Sequence, residues 1–222
     1  MKKTLLPAIL VLISLALIGC GGGDHNNPPP IIVTHILSDP AFDGDIAQTS
    51  PTSFTITQGM SATVQSVFAG IDPVSLEESR AFLDFPLTGP NGVPGNAVIV
   101  SATLDIVINN VFLQVLTDTI PIRIDLVDIP GLLLAPADFS RIQQPAIAFT
   151  TLVPPISSAD AGTHVLVDVT SLMVQAQRFG LPEFQVRILE DLVVAPPGLI
   201  EIDDTTGAFR GTLAPLLQVE YF

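Results

Sequence analysis

Lysine is nearly missing from this chain of 222 residues, since Lys2 and Lys3 are its only two. Tryptophan is absent, Tyr221 is the one tyrosine and Cys20 the one cysteine. A single cysteine excludes an internal disulfide and any C-x-x-C redox or metal motif. Six arginines and those two lysines face 22 Asp and Glu, a formal charge of −14. Nucleic-acid binding rests on Lys and Arg neutralising phosphates, so it is excluded as a function. Unaided docking on an anionic lipid surface is disfavoured for the same reason. No apolar run reaches the roughly 20 residues that a membrane-spanning helix needs.

The longest such run is Leu5 to Ile18, interrupted only by Pro7 and Ser14, and it follows the positive Met1-Lys2-Lys3. This length and these flanks fit an export signal. The run ends in Leu17-Ile18-Gly19-Cys20, which resembles the lipobox of bacterial lipoproteins. That resemblance implies cleavage between Gly19 and Cys20 and a diacylglycerol on the Cys20 thiol, so the protein should be held to a membrane through its N-terminal lipid. Several acyl chains hold firmly where one does not. Loss of residues 1–19 removes both lysines and leaves six arginines against 22 acids, a charge of −16. Gly21-Gly22-Gly23-Asp24-His25-Asn26-Asn27-Pro28-Pro29-Pro30 follows, and its Gly, Asn and Pro predict a tether over residues 20–34. In enteric lipoproteins an Asp directly after the lipidated cysteine favours inner-membrane retention. Gly21 stands there, so the resemblance points to the outer membrane.

Residues 35–222 read as one domain. Period-2 alternation is clear in Ala97–Ile108, where Val98, Val100, Ala102, Leu104, Ile106 and Ile108 share one face. It recurs in Ile120–Asp128, His164–Val169, Phe184–Glu190 and Leu217–Tyr221. Weaker strand signals cover Phe54–Thr57, Thr63–Phe68, Arg80–Phe85, Ile147–Thr151 and Leu199–Ile202. One helix is predicted, capped by Thr170 or Ser171, with Leu172, Ala176 and Phe179 on its apolar side and Gly180 and Pro182 as its stop. About ten short strands without βα alternation predict an all-β fold, an antiparallel β-sandwich or jelly roll.

Three segments carry a family resemblance: Ser79-Arg80-Ala81-Phe82-Leu83-Asp84-Phe85-Pro86-Leu87, Ala97-Val98-Ile99-Val100-Ser101-Ala102-Thr103-Leu104, and Val167-Asp168-Val169-Thr170-Ser171-Leu172. With Pro215–Tyr221 at the end, they resemble the DNRLRE-type domains of secreted bacterial proteins, over about residues 45–222. That likeness implies a jelly-roll sandwich. It also implies a role as a carbohydrate-binding module or as an accessory module of surface proteins. The missing tryptophan and the inward position expected for Tyr221 take away the usual aromatic platform for sugar, leaving Phe and Arg to serve.

Catalytic patterns are weak. His164 and Asp168 share a strand face about 13 Å apart, too far for a base and its orienting acid. No G-x-S-x-G elbow occurs. Glu77-Glu78, Glu190-Asp191 and Asp203-Asp204 are sequence neighbours that strands point to opposite faces, so they read as solvated loop and edge charges. Two acidic runs are candidate Ca²⁺ ligands, Asp39, Asp43 and Asp45 in the first and Glu201, Asp203 and Asp204 in the second, because hard cations want clustered oxygens. Neither has EF-hand spacing. Arg123 and Arg187 are expected on outward strand faces as partners of acids. The expected function is therefore a non-catalytic, membrane-anchored envelope module for structure or interaction, with an envelope protein or a polysaccharide as its partner.

Overall fold

The alternating segments become antiparallel strands in a computed structural model, which describes residues 29–59, 65–114, 118–191 and 196–222. The expected signal, the lipobox with Gly19 and Cys20, and the tether through Pro28, His25 included, lie outside the described residues. So do the first two residues of the expected strand 63–68. Residues 31–222 form one unit.

Strands β1 (Ile32–Leu37), β2 (Gly44–Ser50), β3 (Ser53–Gln58), β4 (Ser66–Ile71) and β5 (Glu78–Pro86) come first. The 15-residue β6 (Ile99–Leu113) follows, then β7 (Thr119–Ile120) and β8 (Ile122–Val127). A crossover containing a one-turn helix, α1 (Pro136–Phe139), leads to β9 (Ala148–Thr151), β10 (Ile156–Ser157) and β11 (Thr163–Asp168). Helix α2 (Thr170–Arg178), β12 (Glu183–Glu190), β13 (Gly198–Asp203), the short α3 (Arg210–Leu213) and β14 (Leu216–Tyr221) complete the chain. The four strands beyond the ten expected are β1, β2, β7 and β10. Pro121 separates β7 from β8, because its ring nitrogen has no hydrogen to donate to a ladder.

Twelve strands share one continuous sheet that curls back on itself. Two long strands let it do so. On β6, residues 103–108 pair with β11 along one edge, while β14 and then β13 occupy the other edge in tandem. On β5, β2 takes one edge and β12 and β4 share the other. The result is a six-stranded layer, β3-β2-β5-β12-β8-β9, and a four-stranded layer, β1-β14-β6-β11, joined through β4 and β13. The sandwich expected from the alternation is thus the observed fold.

At the join, Gly70 pairs with Leu199 on β13 and Ser79 on β5 with φ +118°. A Cβ there would lie 2.1 Å from the Gly198 carbonyl oxygen. Only glycine allows both the backbone angle and the approach. Between the layers, Leu83 and Phe85 of β5, Ile124 of β8 and Val186 of β12 meet Leu104 and Ile106 of β6, Val167 of β11 and Leu217 of β14. Each such aliphatic side chain contributes about 1.5–3 kcal/mol through its removal from water.

Helix α2 buries Leu172, Met173 and Ala176 on this core. Phe179, expected on the apolar side, is instead the exposed C-cap residue, since the helix ends before turning it inward. Asp168 rather than Thr170 caps the helix start, its carboxylate accepting from the Thr170 N–H at 2.9 Å. The Thr170 hydroxyl accepts from the Ala102 N–H and so fastens the helix to β6.

Candidate functional site

The outer faces of the two layers differ. In the four-stranded layer, inward Ile36, Leu217, Leu104 and Val167 alternate with residues that nothing described covers. Register aligns His35, Gln218, Thr103 and Asp168 in one outward row across the four strands, and Leu37, Leu216, Asp105 and Leu166 in the next. His35 Nε2 and Gln218 Oε1 are 3.2 Å apart. His164 Nδ1 lies 2.9 Å from Asp105 Oδ1. This is a base–acid contact across strands, which the His164–Asp168 spacing did not foretell, because Asp105 lies 59 positions away in sequence. The imidazole is half-exposed, and among the described residues no hydroxyl is hydrogen-bonded to it. Beside this face, a shallow cleft of about 470 Å³ opens between the edge strands β9 and β11, with Thr150, Leu152, Leu166, Asp168 and Ser171 among its walls.

The outer face of the six-stranded layer is covered by the 129–144 crossover. Ile46, Phe82, Val127, Ile129 and Phe139 form a second small core there. Four of the six arginines crowd against it. Arg187 is on the outward strand face beside an acid, as expected, but it is fully buried because the crossover closes over it. It donates to Asp125 Oδ2 at 2.7 Å and to the Asp138 and Gln144 carbonyls at 2.8 and 3.1 Å. Arg123 Nε donates to Asp125 Oδ1 at 2.6 Å. Burial lowers the Arg187 pKa, and the nearby Arg80 and Arg141 lower it further, against the opposing effect of Asp125. Arg80 pairs with Glu78 at 2.6 Å and lies over the Phe139 ring. Arg123 stacks on Phe149 at 3.5 Å, a cation–π contact whose ring is 55% exposed.

Several of the acidic residues are inside. Asp39 Oδ1 accepts from the Ala41 N–H at 2.9 Å, and Asp43 Oδ1 from the Asp84 N–H at 2.8 Å. Asp45 is not in a turn. It lies in β2 opposite Ala81, and burial pushes its carboxyl up to about 7. Glu201 accepts from the Ser66 hydroxyl at 2.7 Å and from the Asn110 side-chain amide, while Asp203 accepts from the Thr205 N–H at 2.8 Å. Asp204 pairs with Arg210 at 3.4 Å.

One residue of each expected Ca²⁺ run meets the other, since the carboxyls of Asp43 and Asp204 are in contact. Burial and then Asp204 raise the Asp43 pKa well above the usual range. Among the described residues no group of three or more His, Cys, Asp or Glu is gathered closely enough to hold a metal ion. Asp84 is raised to about 6 by burial. Glu183 rises to about 7, by burial first and then by Asp84 and Asp39. Glu190, expected to be solvated, is 1% exposed, and burial raises it to about 7. Asp203 and Asp204 are likewise buried, not solvated. The reason is local: several of these carboxylates satisfy loop N–H groups that the sheet ends leave without partners.

Alternation along β6 missed one feature. Glu220 pairs with Ser101 but Tyr221 with Ile99, so Val100 is the extra residue of a bulge. A bulge reverses which residues face the core. Ile99 packs inward, and Val98 and Val100, expected inside, are exposed. The chain matches no model of a known protein family and no curated protein.

Proposed function

We propose that this chain is a lipid-anchored lipoprotein of the bacterial outer membrane whose β-sandwich is a non-catalytic interaction module. The lipobox at Leu17–Cys20 supports the anchor. The asymmetry of the two layers carries the interaction reading. One outer face is sealed by residues 129–144 around Arg187. The other presents four strands with mixed polar and apolar side chains, next to an open cleft. A surface of this kind suits a protein partner in the envelope. The proposal includes the likeness to DNRLRE-type jelly rolls. The exposed, unenclosed setting of His164 and Asp105 argues against acid–base catalysis, which works best with water excluded.

Two measurements test the reading. Cys20→Ser should move the protein from the membrane to the soluble fraction, and unchanged fractionation would count against the anchor. Crosslinking from the open face, with a photoreactive residue at position 166, should trap an envelope partner that the same residue at position 149 does not. Equal trapping at both positions would refute the face assignment.

One observation favours a second reading, carbohydrate binding. Phe149, exposed and backed by the Arg123 guanidinium, is an aromatic platform beside positive charge in an otherwise acidic protein. A glycan-array signal lost in Phe149→Ala would support it. An array with no signal would leave the interaction module standing alone.

A further inference from the structure

We propose that the end of the four-stranded layer nearest the tether is a membrane-contacting surface, on which Ile31, Val33, Val98, Val100 and Phe222 rest against the bilayer that anchors Cys20. This rests on the lipoprotein reading above. Antiparallel pairing brings the start and finish of the domain together. Ile32 lies opposite Tyr221 on β14, and Val98 and Phe222 exchange both backbone hydrogen bonds at 2.8 and 3.1 Å. Tyr221 faces the core, so Phe222 faces out. The β6 bulge turns Val98 and Val100 out beside it. These five side chains are between 42% and 59% exposed.

Single exposed apolar residues are ordinary on a soluble protein, but a contiguous row marks an interaction site. Other exposed apolar side chains, such as Val74, Ile142 and Phe209, stand in separate turns. The path of the chain decides the occupant. Ten residues separate Cys20 from Ile31, and they span at most about 33–36 Å. The row begins at Ile31 itself, so it is the part of the domain held closest to the anchor. Tethering raises its effective concentration at the lipid surface, which lets a small apolar contact suffice. The row contains no Lys or Arg, and its one charged member is Glu220, which sits between Val33 and Ser101 in register. That chemistry fits zwitterionic headgroups and the acyl boundary beneath them, not an anionic surface. Seated this way, the strands rise from the membrane. His164 and Leu166 then face the envelope space about 20 Å higher.

The chain has no tryptophan and one thiol, which makes a clean test. The mature chain from Cys20 carrying Phe222→Trp is coupled through that thiol to a maleimide phospholipid in phosphatidylcholine vesicles. The new tryptophan should emit to the blue of its solvated position and be quenched by lipids brominated in the acyl chain. Both effects should vanish in Val33→Glu/Val98→Glu. Val98→Trp, read the same way, guards against a local effect at position 222. An emission that stays solvated on the tethered, folded protein overturns the proposal. So does a blue shift that appears without vesicles and grows with protein concentration, because a second copy is then the occupant. Mass spectrometry of native protein separates the two readings. An unmodified Cys20 removes the anchor, whereas solvated emission with Cys20 acylated removes only the contact.

Discussion

The buried carboxyls give this protein a definite pH response. Asp45, Glu183 and Glu190 are raised to about 7 and Asp84 to about 6, each chiefly by burial. The folded state therefore keeps protons that the unfolded chain, with carboxyl pKa values near 4, has released. Their stabilisation is complete below about pH 4 and is lost as pH rises through about 6 to 7. The melting temperature should be higher at pH 5 than at pH 8, and Asp45→Asn should flatten the slope. A melting temperature that climbs over that range would contradict the assignment.

Arg187 makes the opposite kind of demand. Its charge is buried and, among the described residues, Asp125 is the one carboxylate that pairs with it. Asp125→Asn should cost about 3–5 kcal/mol, since a buried charge loses its partner. Replacing both with apolar residues of similar volume should cost less. Denaturant midpoints of the single and double variants decide it. A loss under about 1 kcal/mol in Asp125→Asn would mean that the carbonyls of Asp138 and Gln144 hold the guanidinium unaided.

At the scale of elements, junctions matter more than strand centres. Gly70 lets β4 serve both layers, and its φ and its contact with Gly198 both forbid a side chain. Gly70→Ala should therefore destabilise by more than the roughly 1 kcal/mol of an ordinary glycine replacement, read as a fall in melting temperature or as insoluble expression. A wild-type melting curve would show that the join relaxes. Most strands were legible because polar and apolar residues alternate along them, as in β12 and β14, although on β12 the polar face is buried under the crossover. β2 was not. Its acids read as a loop, yet Asp45 lies in a strand, where burial raises its carboxyl to about 7. The outward turn of Val98 and Val100 was equally hidden, because nothing in residues 97–108 reveals that Val100 has no partner on β14.

For the whole molecule, residues 31–222 form one unit with a shared core. A chain beginning at Ile31 should fold with the melting temperature of the chain from Cys20. A drop of several degrees would show that the tether contributes to the fold. The expected leader and lipobox and the acidic balance are local or additive properties, so the sequence alone determined the expectation of an anchored, non-nucleic-acid-binding protein. The all-β class also followed from alternation, which records one buried face per strand. Which outer face is sealed, that His164 meets Asp105, and that Asp43 meets Asp204 were decided only by tertiary structure. Each depends on contacts between residues 43 or more positions apart, and a period of two residues carries no information at that range.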